Sequence, residues 1–317
     1  MALLFDRVAA GRFNTICENA DLESGGWAAL LSSQVVVADN VAEFYFAESG
    51  QEVWEYERDF PNLAPPFGAM WIETKRPSKI QSDVFGETPS GSLPKSWGAL
   101  VLSDENPSLE YDPRWRWRIN AFLWAEFPHH VAETGAVGPL GGLALFVDQN
   151  GMVVDAGHGH ICSVFNFQLP DGGDIFLGDG HSAKSHSATV TGLLDPLLLA
   201  VCFMHCKNVK RRDVAPPAPL NRKWERKHGR PLVRYHVLDI NPMREVLDGE
   251  GGAGEHGLRK ALHICRGHFA TYTDSAPLFG RVTGTFWKPQ HVRGSARNGV
   301  VLKDYRVLAP GSGGPHA

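Results

Sequence analysis

The sequence lacks long hydrophobic runs: nothing in its 317 residues approaches the roughly 18 consecutive apolar residues of a membrane-spanning helix. It also lacks patterned cysteines. The five present (Cys17, Cys162, Cys202, Cys206 and Cys265) are scattered and odd in number, which fits a reducing compartment better than a disulfide framework. The opening MALLFDRVAAGRF has no basic n-region, no sustained apolar core and no small-residue cleavage site, so no secretory signal is expected. A cytoplasmic protein with no membrane partner is the expectation. Metal-site spacing is missing as well. Asp171, Asp174 and Asp179 sit among glycines in residues 171–184, but the spacing fails the twelve-residue calcium loop and no glutamate closes it. His158, His160, His181 and His186 have neither paired cysteines nor a HExxH spacing. No metal and no cofactor is expected, with zinc on these four histidines the minor alternative.

What is present is an ordinary globular balance, 43 % hydrophobic and 21 % charged, with length for one large or two ordinary domains. The net charge of −4 conceals a polarity. Residues 207–317 hold 20 Lys and Arg against 9 Asp and Glu, and residues 1–206 hold 11 against 26. Such asymmetry points either to a polyanion-binding half or to an acidic front docking on a basic back.

Residues 1–60 read as mainly helical, with apolar residues at helical spacing in 22–32 and 40–47, until Pro65-Pro66 breaks the pattern. From Phe67 the pattern changes to strands. Short β-rich runs at 69–73, 97–103, 116–126, 143–148, 152–155 and 161–168 are separated by turn residues, and Asp148-Gln149-Asn150-Gly151 is a good turn. Residues 193–206 are apolar nearly all round and predict a helix buried on most sides, with Pro196 in its first turn and Asp195 at its cap. Residues 207–230 read as a basic hinge, extended by Pro216, Pro217 and Pro219. Residues 232–240 alternate as a strand, and 309–317 should be disordered. The expected architecture is α+β: a helical N-terminal segment, a mixed, largely antiparallel sheet, one central buried helix and a basic β-rich C-terminal lobe. The expected divisions are 1–206, 207–308 and the tail.

The chemistry concentrates in residues 258–294, where His263, His268 and His291 lie among Arg266, Arg281, Lys288 and Arg293, with Tyr272, Phe279, Phe286 and Trp287. The hinge adds Arg211, Arg212, Arg222, Lys223 and Trp224. Cations interleaved with aromatics suit a groove that tracks phosphates and stacks bases. The plainer alternative for the hinge is a solvated loop.

Arg266-Gly267-His268-Phe269, then Tyr272, Arg281 and Trp287-Lys288-Pro289, resembles the C-terminal motif of a family of phage and mobile-element proteins. That family includes a type V-A anti-CRISPR that lowers synthesis of the effector nuclease. The resemblance departs at Phe269, which is tryptophan in that member, and in the closing His291–Gly294, and it is weakest over the first 60 residues. It implies a protein of the host-cell cytoplasm that acts on RNA, or on the ribosome with its nascent peptide, to cause loss of a specific messenger. The target itself stays open.

Metal-free RNA cleavage needs a base, an acid and cations for the crowded phosphate. His268 with His263 or His291 has the residue type for the first two roles, with Tyr272 a further catalytic candidate. Arg266 and Arg281 would hold phosphate, and Tyr272 and Trp287 would stack bases. The same residues also suit an adaptor that recruits a nuclease. A third alternative makes Arg266, His268, Tyr272 and Trp287 a hydrogen-bond network that fixes a sheet corner.

Overall fold

The structure, a computed structural model, describes residues 2–11, 24–48, 56–77, 94–105, 112–127, 137–154, 162–166, 183–240, 261–265, 268–288, 291–293 and 295–300. In order these form α1 (Leu4–Ala9), α2 (Ser24–Ser32), β1 (Gln34–Val37), α3 (Asp39–Glu48), α4 (Tyr56–Asp59), β2 (Ala69–Lys75), β3 (Ser96–Glu105), β4 (Trp117–Glu126), β5 (Val137–Val147) and β6 (Cys162–Asn166). There follow α5 (Ala183–Met204), β7 (Lys210–Val214), α6 (Ala218–His228), β8 (Tyr235–Asp239), β9 (Ala261–Cys265), β10 (His268–Tyr272), β11 (Gly284–Lys288), β12 (His291–Arg293) and β13 (Ser295–Val300). The chain divides into two units, Met1–Pro242 with Phe269–Trp287, and Met243–His268 with Lys288–Ala317.

The first unit is built on an eight-stranded sheet in the order β6-β5-β4-β3-β2-β1-β8-β7. Its pairs are antiparallel except β1 with β2 and β1 with β8. The fold is therefore α+β on a mixed, largely antiparallel sheet, as the alternating runs imply. Met70 through Thr74 of β2 are buried on both faces, which requires cover on both sides of the sheet. On one face α3 and α5 pack against Val36, Met70, Ile72, Ala99 and Val101. On the other, α1 and α2 pack Leu4, Phe5 and Leu30 against Val35, Trp71, Leu100 and Trp124.

α5 is the central packing element: Val190, Leu193, Leu194 and every residue from Leu197 to Phe203 are buried. It begins at Ala183, so Pro196 lies inside the helix and Asp195 is not its cap. The ring of Pro196 removes one donor from the helical ladder. Beside that gap the Trp97 indole donates to the Leu193 carbonyl at 2.8 Å. Asp195 faces the core, accepting the hydroxyls of Tyr45 (3.0 Å) and Tyr56 (2.6 Å), and burial pushes its carboxyl up to about 6. A polar residue inside an apolar helix thus ties α5 to α3 and α4. Cys202 and Cys206 are buried thiols, and burial pushes Cys206 up to about 12.

A second buried carboxyl anchors α1. Glu73 accepts the N–H groups of Leu4 (3.1 Å) and Phe5 (2.8 Å) and the Trp71 indole (2.9 Å), while burial pushes it up to about 7. Asp6 reaches back to the Leu3 N–H at 3.0 Å. The bonds from Leu3, Leu4 and Phe5 answer donors that a helix start leaves without an intrahelical acceptor.

Three sequence expectations change. β1 interrupts the N-terminal stretch that reads as helical, because four residues are too few to show a period. The run at 152–155 is a single bridge, Val147 to Val153, closed by the expected turn in which Gly151 N–H donates to Asp148 O at 3.0 Å. The basic hinge is structured: β7 pairs with β8 inside the main sheet, and α6 follows. Pro217 is the N-cap of α6 and Pro219 sits in its first turn, where a missing N–H costs nothing. Gly229 closes α6 in the left-handed conformation (φ 70°), donating to Glu225 O at 2.8 Å. The first unit runs on through this segment to Pro242. The second unit contains a three-stranded sheet, β12-β9-β13, with β12 antiparallel and β13 parallel to β9. Among the described residues no helix is long and apolar enough to cross a membrane.

Candidate nucleic-acid interface

The basic surface of the first unit starts at β7, the last strand of the sheet. Lys210, Arg211, Arg212 and Asp213 are all exposed. Register places Arg211 opposite Leu238, Arg212 opposite Val237 and Asp213 opposite His236. The Arg211 guanidinium lies over the Phe67 ring at 5.8 Å, which fixes its plane while leaving it in water. Asp213 Oδ1 lies 2.5 Å from His236 Nδ1, and His236 Nε2 lies 3.4 Å from Gln34 Oε1. Lys210, Arg211, Arg212 and Asp213, with Asn40 and Val237, line a groove of about 740 Å³. That volume is within the range of small-ligand clefts, ~300–1,000 Å³.

α6 adds a second cationic face. None of its residues is buried. Arg222 and Arg226, and Lys223 and Lys227, are i, i+4 pairs, so the four share one side, and all four are exposed. Trp224 and His228 point the other way, their rings 4.0 Å apart. The Asn221 side chain accepts the Leu232 N–H at 2.7 Å, docking the helix. Arg222 and Arg226 also line a shallow depression with Pro219 and Glu225. Across β7 and α6 seven cations face two acids, Asp213 and Glu225.

The third part is the hairpin β10–β11. Its base is bolted to the core: Trp287 is 2 % exposed and packs on Phe203 (4.8 Å), Phe44 and Phe269 (4.9 Å each). Asn208 clamps the same residue, taking the Trp287 N–H on Oδ1 (2.9 Å) and donating Nδ2 to its carbonyl (2.7 Å). Lys207 N–H donates to Thr285 O at 3.0 Å. The Lys207 side chain crosses β11 at Gly284 (φ 118°), where an added Cβ would fall 2.6 Å from its Cε. From Lys207 to Lys210 is three residues, a reach of at most about 10 Å, so β7 begins beside the hairpin. Tyr272 and Phe286 are half-buried and meet edge to face at 5.9 Å.

The predicted site residues therefore separate. Arg211, Arg212, Arg222, Lys223 and Arg281 are exposed. Trp287, expected to stack a base, is core and cannot. Trp224 packs on His228 instead of standing among the cations. His268 is exposed and Lys288 half-buried, and both fall in the second unit. His263 and Arg293 are register partners across β9 and β12, and His291 is opposite Cys265, described by backbone alone. Arg266 lies outside the described residues, as do the aspartates of 171–184, His158, His160, His181 and the tail. The acid–base pairing of His268 with His263 or His291 thus rests on side chains outside the description. No group of metal-ligating residues occurs among the described residues. Sequence reading missed the pairing of His236 with Asp213 and the single face that Arg226 and Lys227 form with Arg222 and Lys223, and it counted Phe279 only among the aromatics of 258–294. The first two required β7 and α6 to be seen as elements, and the only signal was the i, i+4 spacing of the cations.

No protein-family model, curated protein or solved structure matches the chain.

Proposed function

We propose that this protein is a regulator that engages RNA or the translation machinery to lower expression of a specific target, the phage association resting on the motif around His268. The observation that carries the reading is the strand–helix pair β7 and α6, where seven cations stand in water with no buried residue in α6. Cations held on regular elements and unneeded by the core are what a phosphate backbone requires. The test is titration of a labelled single-stranded RNA across a salt series. Each phosphate contact should add about 0.7 to the log–log slope. Binding that ignores salt, or survives charge reversal of Arg222, Lys223, Arg226 and Lys227, would sink the reading.

Cleavage by His268 with His263 or His291 is the enzymatic form of this proposal, with Arg266, Arg281, Lys288 and Arg293 on phosphate. Incubation of the purified protein with RNA in chelator separates it from recruitment of a nuclease. Loss of RNA that continues in His268→Ala excludes the catalytic role. A second reading, a non-enzymatic adaptor for a nascent peptide, is favoured by β7 itself. Among the described strands β7 ends the sheet, and an extended segment added at a sheet edge is the mode this reading would use. A peptide of acidic composition would suit Lys210, Arg211 and Arg212.

A further inference from the structure

We infer that Phe279, at the tip of the β10–β11 hairpin, is a stacking wedge for an unpaired nucleobase, so that the RNA engaged is single-stranded. The inference rests on the RNA reading and narrows its substrate class. Phe279 is the one non-glycine residue with positive φ among the described residues (53°), and Gly280 follows at 74°. Arg281 N–H donates to Leu278 O at 3.2 Å, and Leu278 and Val282 exchange main-chain bonds at 2.7 and 3.0 Å. In the turn that the Arg281–Leu278 bond closes, inside a three-residue loop between the paired Leu278 and Val282, both central residues have positive φ, and the first such position favours asparagine, aspartate or glycine. A phenyl side chain there crowds its own carbonyl.

The ring gains nothing from folding to offset that strain, since Phe279 is 69 % exposed. Strain and exposure together, in a position that a polar turn residue would fill without cost, mark a side chain held for a partner. The rim decides which partner. Among the described residues the only other exposed large apolar side chain is Leu31, while Arg281 two residues away is exposed, so the ring stands with a cation and not within a patch of exposed large apolar side chains. A flat ring with a guanidinium two residues away matches a base with its phosphate. A ring can stack only on a base whose face is open, in a single strand, loop or bulge. Tyr272 and Phe286, half-buried on the same hairpin, offer further aromatic surface.

The experiment uses the full chain and a fluorescein-labelled 12-nucleotide RNA, alone and annealed to its complement, with 2-aminopurine placed centrally in a parallel set. Wild type should prefer the single strand and change the 2-aminopurine emission. Phe279→Gly should melt about 2 °C higher through relief of strain, yet bind the single strand about tenfold more weakly, with unchanged salt slope and emission left as in free RNA. Phe279→Trp should retain the affinity. Equal affinity of wild type and Phe279→Gly overturns the inference while leaving the RNA reading intact, and assigns the ring to a protein pocket. Failure of wild type to bind any RNA removes both.

Discussion

At its base the β10–β11 hairpin buries Trp287 among Phe44, Phe203 and Phe269, whereas ten residues or fewer away its tip holds Phe279 in water. Both are large aromatics in one basic stretch, and by residue type either suits a base. Position in the fold separates them. The Asn208 clamp draws the base of the hairpin into the α3–α5 core, and the turn between Leu278 and Val282 leaves Phe279 exposed. Aromatic content in a cationic segment therefore says little about recognition until the part consumed by the core is subtracted.

The comparison breaks most visibly at Trp287. Trp287→Ala should cost about 3–5 kcal/mol in denaturant unfolding, the range for a large buried aromatic. A loss below about 1 kcal/mol would mean that the hairpin base is not part of the core. Next is the pH dependence built into the sheet. Glu73 stands at about 7 in the fold and near 4.5 when unfolded. Between those values the folded chain holds the extra proton, so the Glu73 contribution to stability falls as pH rises through that window, by about 3 kcal/mol. Unfolding curves of wild type and Glu73→Gln at pH 5 and pH 8 should diverge accordingly, the wild type losing more on going to the higher pH. Asn208→Ala, which leaves the Trp287 N–H and carbonyl buried without their clamp, should cost about 2 kcal/mol by the same measurement. Smallest in stability is the exposed side of the comparison. Replacing Arg222, Lys223, Arg226 and Lys227 together by alanine should shift unfolding by no more than about 0.5 kcal/mol. The same change should lower the salt slope of RNA binding by about 3.

Much of this architecture was legible in the sequence. Short β-rich runs between turn residues located β2, β3, β4 and the second half of β5, and an unbroken apolar run located α5. What it hid follows from local ambiguity. Gln34–Val37 is too short to distinguish a strand from a helical turn, and only its partners on both sides make it β1. Lys210–Val214 carries three cations and an acid, a composition typical of loops, and it is a strand because β8 offers it a ladder. Proline signalled a linker at 216–219 where it starts α6. Pro196 misled in the opposite sense, since a proline ordinarily begins a helix, and here the Trp97 indole attends the carbonyls beside it. For the site, charge was readable and burial was not, so Arg222 and Lys223 stand where expected, and Trp287 does not.

The sheet finishes on a ribbon that reads Lys210-Arg211-Arg212 along its outer margin. Were two molecules to approach there, like charges would meet at the spacing of neighbouring strands, about 4.8 Å, before any ladder could close. An end strand so charged resists growth into fibres by repulsion between identical copies, and that resistance vanishes for any visitor of opposite sign.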